Sequence, residues 1–541
     1  MKRLASLLLA LVVVAAPVQA KERRPNFLVI VADDLGYSDL GAFGGEIRTP
    51  NLDRLALAGI RLAGFHTAPT CSPTRSMLMS GTDNHLAGLG TMAELIRPNQ
   101  KGQPGYEGYL RRDVATLAER LSDGGYRTLF SGKWHLGLTP EQDPHARGFQ
   151  RSFALLQGGH NHFGTDVGTT ATYTEQGKAL TKLPAGFYSS DYFASRLIAF
   201  LGERPGKRAS QPFFAYLAFT APHWPLQAHP DDIARYKGRY GAGFEVLRQQ
   251  RLVRQRELGI LSADAAPHTP RNRDGSWDSL TAEQQRTAAR NMEIYAAMVD
   301  RLDQNVGRVI ETLRASGELD NTVIIFLADN GAEALDAETT GAEMLGRYLK
   351  DADNSFANRG TASSYVTYGA GWAQAATAPS WLTKGYQSEG GTRTVAFISG
   401  AGIPRRAGAE RQFLSVADIA PTLVELGGGN VRATEVGGRA VRPVTGRSWA
   451  SWLRDPAARV YGAEDGVGGE LFGSRAWRQG DWKLTDIGDG VWRLFNLASD
   501  PGETRDLSLA EPARRDAFAA AWDRYARDVG IVAPDAIPYR P

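Results

Sequence analysis

The only cysteine of the chain, Cys71, stands in the run Thr-Cys-Ser-Pro-Thr-Arg that ends at Arg75. Pro73 favours the first turn of a helix, so Cys71 sits at or just before a helix N-terminus, where free N–H groups attract anions. Arg75 lies one helical turn further on the same face and can reach whatever stands at position 71. A lone cysteine makes no intramolecular disulfide; it is either an inert core residue or present for its reactivity. Four other segments bring polar groups of a matching kind. Asp33 and Asp34 follow the apolar run that begins at Asn26, and Lys133 and His135 follow the one that begins at Tyr126. His223 follows the run from Phe213, and Asp329 and Asn330 follow the run from Thr322. Three carboxylates converging at one buried place need a cation. The oxygen-only donors Asp33, Asp34, Asp329 and Asn330 suit a hard ion, Ca²⁺ or Mg²⁺. The alternative is local: Asp33-Asp34 caps a helix and Asp329-Asn330-Gly331 forms a turn.

Short apolar runs alternate with amphipathic helical stretches along the chain, the pattern of a mostly parallel α/β sheet. In such sheets ligands bind beyond the carboxyl ends of the strands, where all four polar groups fall. A length of 541 residues implies two to four domains, or one large α/β domain with an appendage. With 42% hydrophobic and 22% charged residues and no short-period repeat, the chain is neither a solenoid nor a disordered array. The net charge is +3 and the basic residues are scattered, so nucleic acid is a poor partner. Residues 1–20 join a basic start at Lys2 and Arg3 to an apolar run from Leu7 to Ala16 and a small-x-small end at Val18-Gln19-Ala20. That pattern predicts a cleaved export signal and a mature protein in the periplasm or the medium. No later segment is long and apolar enough to span a bilayer, so stable membrane association is not expected.

Cys71-Ser72-Pro73-Thr74-Arg75 resembles the Cys-x-Pro-x-Arg signature of the type I sulfatases. The resemblance runs along nearly the whole mature chain. It takes in the two acidic pairs, Lys133-x-His135, the stretch from Thr383 through Lys384 to the Glu389-Gly390-Gly391-Thr392-Arg393 turn, and Asp481-Trp-Lys-Leu near the end. What it implies is specific. A dedicated maturation enzyme, acting on unfolded chain, converts Cys71 to Cα-formylglycine, whose hydrated aldehyde supplies the nucleophile. Asp33, Asp34, Asp329 and Asn330 hold one calcium ion, with position 71 completing the shell. Lys133 and His135 serve the sulfate and its release, and His223 and Lys384 the leaving oxygen, with Arg75 at the helix start. The substrate is a small sulfate monoester.

The same resemblance implies an alkaline-phosphatase-like fold. Residues 21–410 form the catalytic α/β domain, a large mixed sheet flanked by helices, and 411–541 form a smaller subdomain with an antiparallel sheet. The aromatic stretch from Tyr365 to Tyr386 resembles the insert of bacterial arylsulfatases. Trp372 and Trp381 either flank the sulfate pocket and favour a flat leaving group, or are ordinary packing residues. His66 reads as a surface or core histidine, and His160 and His162 as lining the pocket mouth. Two other functions fit the residues: a phosphate or phosphonate monoester hydrolase with the same machinery, and a sulfated-ligand binding protein with an unconverted thiol.

Overall fold

The computed structural model describes residues 23–203, 211–270, 275–339 and 342–537; the expected export signal at 1–20 lies outside them. A ten-stranded sheet organises the molecule. Across it run Ala409–Glu410, Ile60–Leu62, Ala396–Gly400, Thr322–Ala328, Asn26–Ala32, Phe213–Ala218, Arg127–Lys133, Arg151–Leu155, Tyr173–Glu175 and Lys178–Ala179. The five strands from Thr322–Ala328 to Arg151–Leu155 are mutually parallel, and antiparallel strands flank them on both sides. The four runs singled out in the sequence are thus neighbours, and their carboxyl ends lie together.

The central strands read as unbroken apolar runs because both of their faces are buried. In Asn26–Ala32, Leu28, Ile30 and Ala32 enter one core and Phe27, Val29 and Val31 the other. The first core packs the long helix Ala282–Ala315, opened by a capping box at Thr281 and Gln284. The second packs the helices Cys71–Ser80, Leu117–Asp123 and Ile419–Leu426. The division expected near residue 410 falls directly after the last strand of the large sheet, while the Ile419–Leu426 helix beyond it still packs on the second core. Gly132 is required within its strand. It has φ +132°, and a Cβ there would stand 1.8 Å from the Ala218 carbonyl of the adjacent strand.

The C-terminal region is an antiparallel sheet of Gly466–Leu471, Ser474–Gln479, Trp482–Asp486 and Arg493–Asn496. The helix Pro512–Val529 covers it, placing Phe518 against Leu484 and Leu494. The glycine-rich first strand, GVGGEL, carries almost no β-propensity, and its place in the sheet comes from pairing with Ser474–Gln479.

A buried ionic cluster joins this region to the large domain. His85 lies 3.3 Å from Asp83 and 3.3 Å from Glu470, and the Tyr525 hydroxyl donates to Asp83 at 2.7 Å. Burial alone would lower the pKa of His85, but the two carboxylates outweigh it and raise the value to about 9. A histidine raised from about 6.5 when unfolded stabilises the fold fully below that pH, and its contribution is lost as pH rises through about 9. The melting temperature should therefore fall between about pH 7 and pH 10, and His85→Gln should flatten part of that slope. An identical slope in the variant would rule out His85 as its source.

Candidate active site

The Asn26–Ala32 strand ends on Asp33 and Asp34, the latter at φ 63° in the left-handed region. That conformation costs a side-chain-bearing residue about 1–2 kcal/mol and persists where surrounding contacts over-determine it. Here they do. Asn330 Nδ2 donates to Asp34 Oδ1 at 2.6 Å, and Lys384 Nζ donates to both Asp34 oxygens at 2.7 and 2.9 Å. Burial pushes the Asp34 carboxyl up, but Lys384 and His223 outweigh it and bring its pKa to about 2.

Cys71 is the first residue of the helix Cys71–Ser80, 2% exposed, with its Sγ 3.3 Å from Asp33 Oδ1. Burial, reinforced by Asp33, pushes the thiol well above its ordinary pKa. Lys133 Nζ donates to the other Asp33 oxygen at 2.6 Å. Arg75 lies 3.6 Å from Asp33, the carboxylate that Cys71 meets, and makes its hydrogen bonds to its other neighbours. Its Nε and Nη2 hold Asp329 Oδ2 at 3.0 and 2.8 Å, and its Nη1 donates to the Lys133 carbonyl at 2.9 Å. The Asp34 N–H meets the second Asp329 oxygen at 3.3 Å. All of these side chains are buried.

The two histidines occupy distinct settings. His223 sits between two cis prolyl bonds, donates Nδ1–H to the Trp224 carbonyl at 2.6 Å, and presents Nε2 3.6 Å from Asp34 Oδ2. Burial drives it well below its ordinary pKa, despite Asp34. His135, at φ 57°, places Nε2 3.1 Å from Glu94 Oε1, and its Nδ1 is buried with no hydrogen-bond partner. Gly158 makes room for that ring: a Cβ there would lie 2.5 Å from His135 Cε1.

Ligand atoms of Asp33, Asp34, Cys71 and His223 lie within 4.8 Å of one another, and the Asn330 amide oxygen is buried without a hydrogen-bond partner. This acidic cluster can hold a metal ion. Three carboxylates, Asp33, Asp34 and Asp329, stand there with the cations of Arg75, Lys133 and Lys384. Glu333, buried, lies 3.3 Å from Lys384 and adds a fourth carboxylate, so four negative groups face three positive ones. Neither Glu333 nor Glu94 belongs to an apolar-run terminus, and nothing in their local sequence marks them.

Two histidines fall elsewhere than expected, and the tryptophans take the packing alternative. His160 and His162 are buried behind His223, not at a pocket mouth. His162 bonds the His223 carbonyl at 2.9 Å and Ser189 at 2.8 Å, and His160 is held between Thr220 and Tyr173. Trp372 is a packing residue, 1% exposed among Phe244, Trp277 and Tyr240. Trp381 stacks on His268 and meets Phe495 of the C-terminal sheet. The rings beside the site are instead Trp224, 4.4 Å from His223, then Tyr365, tilted against Trp224 at 5.9 Å, and Tyr348, stacked on Tyr365 at 5.3 Å. His66 is buried, 3.0 Å from Glu389, which Lys483 of the C-terminal sheet also binds at 2.9 Å.

The sulfatase family profile matches residues 25–429. An uncharacterised sulfatase of Schizosaccharomyces pombe is 47% identical over 537 residues, 96% of each chain. The arylsulfatase of Klebsiella aerogenes is 42% identical over 417 residues, covering 76% of this chain and 88% of its own. The crystal structure of Ps i-CgsB in complex with k-i-k-neocarrahexaose, 22% identical, superposes with a TM-score of 0.67 over 95% of each chain and shares the fold. With the cysteine helix, the acidic strand ends and the paired lysines in one buried centre, these similarities establish that the chain belongs to the sulfatase family and is a sulfuric ester hydrolase.

Proposed function

We propose that the protein hydrolyses aryl sulfate monoesters at position 71, with Cys71 converted to formylglycine and a calcium ion held by Asp33, Asp34, Asp329 and Asn330. The observation that carries this reading is the joining of a lone buried cysteine at a helix start to oxygen donors from two adjacent strands and to Lys133, Lys384 and Arg75. A hard divalent ion supplies charge neutralisation and Lewis acidity there, and the oxygen-rich donors fit calcium, with magnesium a smaller alternative. The hydrated aldehyde supplies a hydroxyl nucleophile that a buried, protonated thiol does not. Because Cys71 is 2% exposed, a maturation enzyme must reach it before the chain folds. The pattern of residues 1–20 supports export after that step.

Lys133 and Lys384 are the ammonium groups placed to hold the anionic ester, and Arg75 fixes Asp329 and the Lys133 backbone between them. His223, with Nδ1–H committed to Trp224, has Nε2 to carry a proton to the leaving oxygen. The negative charge of a bound ester favours that protonated state. His135 has its Nε2 side at Glu94 and an unpartnered Nδ1 able to accept a proton during sulfate release. The Trp224–Tyr365–Tyr348 rings beside His223 suit a flat leaving group.

Turnover of the sulfate and phosphate esters of one nitrophenol tests the assignment, and the sulfate should win clearly. Preference for the phosphate ester would move the protein to the phosphate or phosphonate monoester hydrolases. Across a panel of sulfates, His223→Ala should slow unactivated aryl and alkyl esters by about 10²–10⁴ and nitrophenyl sulfate far less. His135→Ala should slow all of them to a similar degree. Equal losses on every ester in both variants would refute this division of roles.

A further inference from the structure

A cavity of about 310 Å³ lies between the large sheet domain and the C-terminal sheet, and it contains none of the residues of the reaction centre. Its size is at the lower end for small-molecule sites. Four arginines line it: Arg393 follows the Glu389–Thr392 turn, Arg411 and Arg459 come from the connecting chain, and Arg478 comes from the C-terminal sheet. Phe413 and Tyr461 supply aromatic wall, in edge contact at 5.0 Å.

These guanidinium groups lack a close carboxylate partner, although Arg393 Nη2 donates to Ser380 Oγ at 2.9 Å, Arg411 Nη2 to the Gly259 carbonyl at 3.0 Å and Arg478 Nη1 to His66 Nε2 at 3.1 Å. Arg411, Arg459 and Arg478 make no ion pair within 4 Å among the described residues, and Arg393 reaches only to 3.8 Å from Glu389. The Nε atoms of both Arg393 and Arg478 are buried without a hydrogen-bond partner. The carboxylates of the wall are largely engaged elsewhere, Glu389 with Lys483 at 2.9 Å and Asp465 with Arg447 at 2.8 Å, which leaves Asp481. Arg478 lies over the Phe413 ring at 4.7 Å, and Arg393 over Tyr37 at 4.7 Å, so their planes are fixed while the Nε–H of each has no acceptor among the described residues. A buried N–H without an acceptor is costly, and fixed guanidinium forks match oxyanions in geometry as well as charge. Arg411 and Arg459 are exposed and give the cavity a positively charged mouth.

We propose that this cavity is a second binding site, for a small organic anion that joins one oxyanion group to a flat ring. The oxyanion meets Arg393 and Arg478, and the ring lies against Phe413 and Tyr461. The proposal is independent of the chemistry at position 71.

Crystals of the full chain soaked in 4-iodobenzenesulfonate locate the ligand by the anomalous signal of iodine. The expected result is an iodine position in the cavity, beside Phe413 and Tyr461, whatever binds at Cys71. The same soak of the doubly substituted Arg411→Ala, Arg459→Ala protein should show it weakened or absent. Both changed residues are exposed, so folding and hydrolysis of nitrophenyl sulfate should be retained. In solution, fluorine NMR with 4-(trifluoromethyl)benzenesulfonate should show the cavity-bound population weakened about tenfold in that variant, and weakened by added salt. Iodine only at the reaction centre, or nowhere, would overturn the proposal, as would affinity unchanged in the variant. Equal occupancy by the neutral 4-iodobenzyl alcohol would remove the anion requirement. Equally tight binding of inorganic sulfate would remove the ring requirement and overturn the ligand class.

Discussion

Cys71→Ala should fold normally and lose turnover of sulfate esters by about 10⁴–10⁶, the scale of removing a nucleophile that no neighbour can replace. Folding should survive because the change removes one small buried atom group whose only hydrogen bond among the described residues is a 3.3 Å approach to Asp33. Chemistry should not survive, because every other group around position 71 either binds charge or moves protons. The decisive companion measurement is mass spectrometry of the tryptic peptide Leu62–Arg75 from active wild-type protein. It should carry an aldehyde at position 71, in a proportion that tracks specific activity from one preparation to the next. Full activity in a preparation whose peptide carries only cysteine would end the formylglycine proposal while leaving the family assignment intact. Protein made without a maturation enzyme should have the same melting temperature and almost no activity.

Asp34→Asn should lose the bound ion and at least about 10³ in turnover. The choice of asparagine matters. Asp34 is at φ 63°, where alanine adds backbone strain and asparagine does not. Asp34→Ala also leaves the Lys384 ammonium, bound to Asp34 at 2.7 Å, with one fewer buried partner. Breaking a buried pair in this way typically costs about 3–5 kcal/mol, so alanine mixes folding with function. Asparagine keeps the shape and a carbonyl acceptor for Lys384 while removing the charge that a hard cation needs. Metal analysis should find one calcium per wild-type chain and much less in Asp34→Asn, at unchanged far-ultraviolet circular dichroism. Stoichiometric zinc in the wild type, or full activity after exhaustive chelation, would contradict the calcium proposal.

Much of the fold could be read from sequence because a strand buried on both faces shows itself as an unbroken apolar run. The polar residue that stops such a run is then displayed at the sheet's carboxyl edge. Asp33, Asp34, Lys133, Asp329 and Asn330 were legible for this reason, and Cys71 because Pro73 marks a helix start. Glu94 and Glu333 were not, since each reaches the centre through a partner far away in sequence, His135 and Lys384, that local sequence does not reveal. The choice left open for the tryptophans could not be made from sequence for a related reason. Composition shows that tryptophans are present between Tyr365 and Tyr386, but not which side of the chain faces the site. Trp372 turned into the core, while Trp224, outside the aromatic stretch, stands beside His223. The glycines of Gln157-Gly-Gly-His160 gave no sign in sequence that Gly158 accommodates a ring from His135.

Gly132 sets a dimension of the centre through something it lacks. The strands that lead to Lys133 and to His223 are paired through Gly132 and Ala218, with no room at that point for even a methyl group. The spacing of the two strands that deliver the group proposed to grip the sulfate and the one proposed to protonate the leaving oxygen is therefore gauged by backbone against backbone. No rotamer can loosen that gauge and no repacking can retune it. Ester preference in this protein must therefore be set by the side chains and loops beyond the strands, because the frame itself has no adjustable part there.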